Sequence, residues 1–241
     1  MKKPVGYICE PCEILTVELI QRIEEAHEKF KIVGIGIHSD NFFVVLNGRK
    51  PIKKYADRAK LVSALKGVDF VFELDENTAL DSELNFCSGS STGIVLNKPY
   101  HVGYAPGTYD LFHEGHLEHL TEAKMLCDIL VVGVNGDSII WDYKKKHAKM
   151  HEEERSKIVR NLGFVDYVFV VEKMQKSTEI KKAAEICGAP VDVLIYGSDL
   201  RYVDTKNDTN LPVIFTERDP EVMKHRSSTF YRKAIEKLSL K

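Results

Sequence analysis

The chain repeats itself. Displaced by 97 residues, so that Val5 falls on Val102, the stretch Pro4–Glu73 covers His101–Val170 without a gap. Val5-Gly6-Tyr7 meets Val102-Gly103-Tyr104, Glu25-Ala26 meets Glu122-Ala123, and Gly36 meets Gly133. Asp40 meets Asp137, Arg58 meets Arg155, Val68-Asp69 meets Val165-Asp166, and Val71-Phe72 meets Val168-Phe169. A repeat at fixed offset constrains the fold more than any local propensity, because both halves must satisfy one pattern of elements. In the first half, Gly6–Ile8, Ile32–Ile37 and Phe70–Glu73 read as strands, with helices over Ile14–Phe30 and Ala56–Lys66. In the second, Val102–Ala105, Ile129–Val134 and Phe164–Phe169 read as strands, with helices over Leu117–Met125 and Glu152–Leu162. Beyond the repeat come a helix over Thr178–Cys187 ending at Gly188, strands over Val191–Tyr196 and Val213–Thr216, and a last helix reaching Leu238. Nearly continuous apolar strands alternating with helices predict parallel sheets with right-handed crossovers, an α/β fold present as two tandem copies. Residues 1–97 would hold the first copy and a linker, and 98–241 the second. Leu74–Tyr100 has no counterpart in register, and its Ser88-Gly89-Ser90-Ser91-Thr92-Gly93 run reads as that linker.

Composition narrows the class. With 241 residues, 44% apolar and 29% charged, the chain can bury one large core or two small ones. A net charge of −2 argues against a general nucleic-acid binder. The apolar runs are strand-sized, which predicts no transmembrane helix, and Met1-Lys2-Lys3-Pro4 opens no signal peptide. Five scattered cysteines point to reduced thiols and a cytoplasmic protein. Cys9-Glu10-Pro11-Cys12 has redox or half-zinc spacing, but no second pair accompanies it, so a structural reading is favoured.

Chemistry-bearing residues are confined to one copy. Gly107-Thr108-Tyr109-Asp110-Leu111-Phe112-His113-Glu114-Gly115-His116 lies between a predicted strand and a predicted helix. His113 and His116, three apart at a helix start, project from one face. A helix start offers unpaired N–H groups and a positive dipole end, and imidazoles donate to phosphate oxygens near neutral pH. Gly107 and Gly115 would let a nucleotide approach the backbone. In the first copy Thr16 and Leu19 stand where the histidines are, and Cys9-Glu10-Pro11 replaces Pro106-Gly107-Thr108. The first copy therefore keeps the fold signals and loses the phosphate apparatus. Further on, Asp142-Tyr143-Lys144-Lys145-Lys146-His147 reads as a loop, and Glu152–Glu154 as caps of the next helix.

The ten-residue block resembles the signature of the nucleotidyltransferase superfamily with paired histidines. It is most similar to the branch of glycerol-3-phosphate, choline-phosphate and ethanolamine-phosphate cytidylyltransferases. The resemblance implies a Rossmann-like parallel sheet flanked by helices in each copy. It implies CMP transfer from CTP to a small phosphorylated alcohol, with release of pyrophosphate and Mg2+ accompanying the triphosphate. The acceptor phosphate would attack the α-phosphorus directly. On this footing the catalytic set is His113, His116, Lys146 and Arg226. The nucleotide-binding set is Gly107, Thr108, Tyr109, Asp110, Gly115, Gly197, Asp199, Ser227, Ser228 and Thr229, with no protein metal ligand. Lys144 is the alternative to Lys146, and Arg218 the alternative to Arg226. Gly197-Ser198-Asp199-Leu200 is similar to a family Gly-x-Asp-Trp turn, with Leu200 departing from it. Gly163-Phe164-Val165-Asp166 stands where relatives carry Arg-Tyr-Val-Asp. The same superfamily includes adenylyltransferases acting on sugar phosphates, flavin mononucleotide or nicotinamide mononucleotide, and a non-catalytic nucleotide-binding scaffold is a third reading. The resemblance also implies a homodimer or an intrachain pseudo-dimer of the two copies.

Overall fold

A computed structural model of the chain describes residues 3–75, 98–198, 209–216 and 228–239. Most of the expected linker therefore lies outside the described residues, as do Asp199, Leu200, Arg218, Arg226 and Ser227. The first copy comprises β1 (Lys3–Glu10), α1 (Val17–Lys29), β2 (Phe30–His38), α2 (Asp40–Asn47), α3 (Tyr55–Ser63) and β3 (Phe70–Leu74). The second begins with β4 (Tyr100–Gly107), α4 (Glu114–Leu126), β5 (Cys127–Asn135), α5 (Asp137–Lys144), α6 (Glu152–Arg160) and β6 (Tyr167–Val171). It continues through α7 (Lys176–Cys187), β7 (Val193–Gly197), β8 (Val213–Thr216) and the final helix, α8 (Ser228–Ser239). The first copy forms a three-stranded sheet ordered β1-β2-β3, and the second a five-stranded sheet ordered β6-β5-β4-β7-β8. All pairings within both are parallel.

The repeat is carried through element by element. Each of the first six elements falls on its partner at the offset of 97: Val17 on Glu114, Phe30 on Cys127, Asp40 on Asp137, Tyr55 on Glu152 and Phe70 on Tyr167. Where expectation and structure differ, local chemistry explains it. α1 begins at Val17 because the Thr16 hydroxyl accepts from the Leu19 N–H at 3.2 Å and caps the helix there. β2 and β5 start directly at their helix ends, with no loop between, and so run longer than their apolar centres. α2 and α5 were not foreseen. Asn41-Phe42-Phe43-Val44-Val45-Leu46 has strand-like composition, yet Ser39 caps it at 3.0 Å and Gly48 closes it in the left-handed region, so it forms two helical turns. Its counterpart α5 takes in Asp142-Tyr143-Lys144, expected as loop.

The copies pack about a local two-fold. Leu65 and Leu162, partners at the same offset, form an isolated antiparallel bridge with each other. The Lys66 N–H donates to the Asn161 carbonyl at 2.7 Å, and its mirror image, Gly163 to the Ala64 carbonyl, spans 2.8 Å. α1 lies against α6, and α3 against α4. One core runs through both halves, from Ile23, Leu61 and Leu65 to Leu120, Ile158 and Leu162. Burying each such side chain contributes roughly 1.5–3 kcal/mol. Gly163 therefore sits at the junction of the copies.

The conserved arginines of the repeat are its deepest polar anchors. Arg58 and Arg155 are both fully buried. Arg58 donates to the carbonyls of Lys53 (3.0 Å) and Pro11 (2.7 Å) and to Asp40 (2.7 Å). Arg155 donates to the carbonyls of Met150 (3.0 Å) and Thr108 (2.6 Å) and to Asp137 (2.6 Å), each acceptor being the mirror of the other set. Arg58 and Arg155 thus tie the turn after the first strand of each copy to the start of its third helix.

Candidate functional site

In the second sheet the order of strands reverses between β4 and β7. Ligands of open α/β sheets bind beyond the carboxyl ends of the strands at such a reversal. The turn after β4 carries the paired histidines, and Gly197 ends the neighbouring β7. Among the described residues the first copy's sheet stops at β1 and has no reversal, so it lacks the crevice as well as the histidines.

The turn is shaped by side chains rather than by its glycines. Tyr109 (φ 53) and Leu111 (φ 48) take the left-handed conformation, and Cys12 (φ 52) repeats that of Tyr109 in the first copy. Gly107 itself does not take the left-handed conformation. A Cβ there would lie 2.6 Å from the Tyr109 ring, so its smallness makes room for that ring. Tyr109 is buried, donates to the Ala105 carbonyl at 3.2 Å, and sets its ring edge-on to His116 at 5.4 Å. It supports the imidazole from below. The Thr108 carbonyl is held by Arg155, as above.

His113 is the N-cap of α4, and its Nδ1 accepts from the Gly115 N–H at 3.2 Å. The neutral ring therefore carries its proton on Nε2, as a donor. The two imidazoles stack with centroids 3.8 Å apart at an interplanar angle of 24°. Thr16 performs the capping of the first copy in place of His113, with no second ring beside it.

The first turn of α8 is brought against the first turn of α4. Tyr231, buried, donates to Glu114 Oε2 at 2.7 Å, and its ring centroid lies 5.7 Å from that of His113. Ser228 opens α8 and Thr229 lies exposed in its first turn. Two helix starts thus adjoin, and the positive ends of their dipoles favour a polyanion. Asp110 is buried and fixes the surroundings. It accepts from the Lys149 N–H at 3.0 Å and the Met150 N–H at 3.1 Å, and pairs with Arg232 at 2.6 Å. Arg232 also donates to the His147 carbonyl at 3.1 Å, joining α8 to the lysine loop. Lys146 is exposed on that loop just after Lys145, which closes α5 at φ 51. The Lys144 side chain lies outside the described residues.

In the first copy the equivalent loop is closed upon itself. Arg49, the counterpart of Lys146, is bound to Glu13, the counterpart of Asp110, through both guanidinium nitrogens at 3.1 and 2.5 Å. The loop cation that a phosphate would use is therefore taken. Burial pushes the Cys12 thiol up to about 12, against the pull of Arg58, and raises Cys9 as well, so the Cys-x-x-Cys pair is poorly suited to thiolate chemistry.

Sequence reasoning missed Arg155, Glu114, Tyr231 and Arg232. Arg155 carried a signal, its identity with Arg58 in the repeat. Glu114 lies between the paired histidines but its part, like that of Tyr231 and Arg232, arises from how α8 packs. Among the described residues no three His, Cys, Asp or Glu side chains group as a metal cage.

A family model described as cytidylyltransferase-like matches residues 104–233. The bifunctional protein HldE of Campylobacter concisus (strain 13826) is 32% identical over 196 residues, covering 73% of this chain and 39% of that protein. HldE of Helicobacter pylori (strain ATCC 700392 / 26695) is 38% identical over 97 residues, covering 40% of this chain and 20% of that protein. The chain thus spans well under half the length of these curated relatives. The crystal structure of the lipopolysaccharide core biosynthesis protein from Thermoplasma volcanium GSS1 superposes with a TM-score of 0.41 at 21% identity, covering 49% of this chain and 98% of that one. No helix of the described residues is long and apolar enough to cross a membrane. The matched span runs from inside β4 into α8, taking in the sheet reversal and both helix starts, and the chain belongs to the cytidylyltransferase-like family.

Proposed function

We propose that the second copy, residues 98–241, transfers a nucleoside monophosphate from a nucleoside triphosphate to a phosphorylated acceptor, releasing pyrophosphate. The observation that carries this reading is the stacked His113–His116 pair beside the adjoining starts of α4 and α8. An acceptor phosphate oxygen attacks the α-phosphorus, and the bond to the β-phosphate bridging oxygen breaks. With no covalent intermediate, catalysis rests on alignment and neutralisation of developing charge. His113 and His116 would donate to α-phosphate oxygens, and Lys146 would draw the two anions together. Arg226 with Ser227, Ser228 and Thr229 would hold the departing pyrophosphate. Gly197 and Asp199 would face the nucleoside. Magnesium would enter as part of the triphosphate substrate, bound by phosphate oxygens, since the described residues offer it no cage.

For the substrates, the balance moves away from CTP and an alcohol phosphate. The relatives reported above are HldE proteins and not alcohol-phosphate cytidylyltransferases, which favours the adenylyltransferase reading with a sugar phosphate as acceptor. CTP with an alcohol phosphate remains the second reading, favoured by the Thr108-Tyr109-Asp110-Leu111-Phe112-His113 wording. The first copy, residues 1–97, would serve as an internal partner in place of a second subunit. Pyrophosphate release across the four triphosphates, with sugar phosphates, alcohol phosphates and mononucleotides as acceptors, tests these readings together. We expect the largest rate with ATP and a sugar phosphate. A maximum with CTP and an alcohol phosphate would establish the second reading, and nucleotide binding without release from any pair would make the protein a scaffold.

A further inference from the structure

One cation of the first copy reaches across to the second copy's site. Lys53, in the loop before α3, is 3% exposed, and its Nζ sits 4.3 Å from the centroid of the Tyr231 ring. Tyr231 is the residue that joins α8 to Glu114 and flanks His113. Glu114 is wholly buried between the two histidines in sequence, and its second oxygen, Oε1, has no hydrogen-bond partner among the described residues. A buried carboxylate with one oxygen unbonded is costly unless a countercharge is near. Burial pushes the Lys53 ammonium down, and Glu114 is the foremost of the carboxylates that push it back up, ahead of Glu13 and Asp57. The arrangement is not a relic of the duplication: Met150 is the mirror of Lys53, and Val17 the mirror of Glu114.

We propose that Lys53 of the first copy is a positioning residue for the second copy's site. Its ammonium, seated on Tyr231 and facing Glu114, fixes the first turn of α8 against the first turn of α4. It does not touch the reacting atoms. It acts through Tyr231 and Glu114 on His113 and on the helix start that would receive the triphosphate. This rests on the reading of the site given above, and it assigns the blank copy a part in the active one.

The test uses the full chain and three variants: Lys53→Met, which keeps the length and loses the charge, Lys53→Arg, and Tyr231→Phe. Without any ligand, hydrogen exchange of the wild type and Lys53→Met is compared at residues 228–235. We expect faster exchange there in Lys53→Met, with the strands of the second sheet unchanged. With substrates, Lys53→Met should raise the KM for the triphosphate about tenfold, the scale of one charge-assisted contact, with kcat within about threefold. Lys53→Arg should restore most of the loss. The double variant Lys53→Met/Tyr231→Phe should be no worse than the weaker single one, because both cut the same link. Unchanged exchange at 228–235, equal impairment by Met and Arg, or additive effects in the double variant would each overturn the proposal. If Lys53→Met does not fold, Lys53→Arg and Tyr231→Phe decide it through the same exchange readout. A wild type that binds no nucleotide would sink the functional reading, while the exchange result would still judge the Lys53 link.

Discussion

Exchanging each of the twin arginines for methionine separates what the fold needs from what the site needs. Arg155→Met removes the donors to the Met150 and Thr108 carbonyls and to Asp137, and fills most of the space. Breaking a buried charge pair from one side costs about 3–5 kcal/mol, and the lower end applies because the Asp137 side chain is 36% exposed and keeps some water. Arg58→Met loses the mirror set, with Asp40 42% exposed, so its cost should be the same, about 3 kcal/mol. For a chain of this size that lowers the melting temperature by about 6–12 °C in both variants. Turnover should divide them. Thr108 opens the phosphate turn, and freeing its carbonyl lets the histidines drift. A shift of about 1 Å costs on the order of a hundredfold. Arg58 reaches the site only through the Lys53 carbonyl, so its variant should lose about tenfold at most, the scale of one displaced contact. Thermal melts and pyrophosphate release, the latter well below both melting temperatures, measure the two effects. Equal losses of kcat/KM in the twins would refute the claim that the Thr108 tether holds the turn.

Three further outcomes are expected. His116→Ala should lower pyrophosphate release about a hundredfold with little change in stability, since one preorganised donor is worth about 3 kcal/mol in the transition state; near-normal turnover would remove His116 from the catalytic set. Cys12 should resist a thiol reagent at pH 8 in the folded chain and react once it is unfolded, because its thiol is pushed up to about 12; labelling at the rate of a free thiol would restore the redox reading. Burial raises the Asp137 carboxyl, but the bonds from Arg155 and His151 outweigh that and hold it below its ordinary value of 3.8. Its contribution to stability is therefore complete above about pH 4 and is lost as pH falls through the lower folded value. Melts between pH 2 and 6 should show a shallower acid slope in Asp137→Asn than in the wild type, and identical slopes would contradict the assignment.

The repeat made much of the fold legible, because residues that hold a packed arrangement are kept in pairs. Asp69 and Asp166 each accept from the second strand of their own copy at 2.7 Å, and both pairs survive in the sequence. The His113–His116 spacing likewise put both rings on one face at a helix start, where they are found stacked. α2 and α5 were hidden because two turns of helix are too short to impose a period on apolar residues. The left-handed backbone at Tyr109 and Leu111 was hidden because aromatic and branched residues seldom take it; here the surrounding core fixes them. Lys53, Tyr231 and Arg232 could not be read at all. The partners that give them their place are remote in sequence, Glu114 lying 117 positions from Tyr231 and Asp110 lying 122 from Arg232, and no local pattern marks such a meeting.

The two-fold that unites the copies is only approximate, and that has a consequence. A true homodimer must write every substitution twice, once on either side of its axis, so a change that helps one site is tried on both. Two copies joined in a single polypeptide are released from that symmetry. One side could place an ammonium at position 53 and the other a thioether at position 150, and each could drift toward a separate task. The covalent joint also makes the pairing indifferent to dilution, so either half can change without giving up its companion.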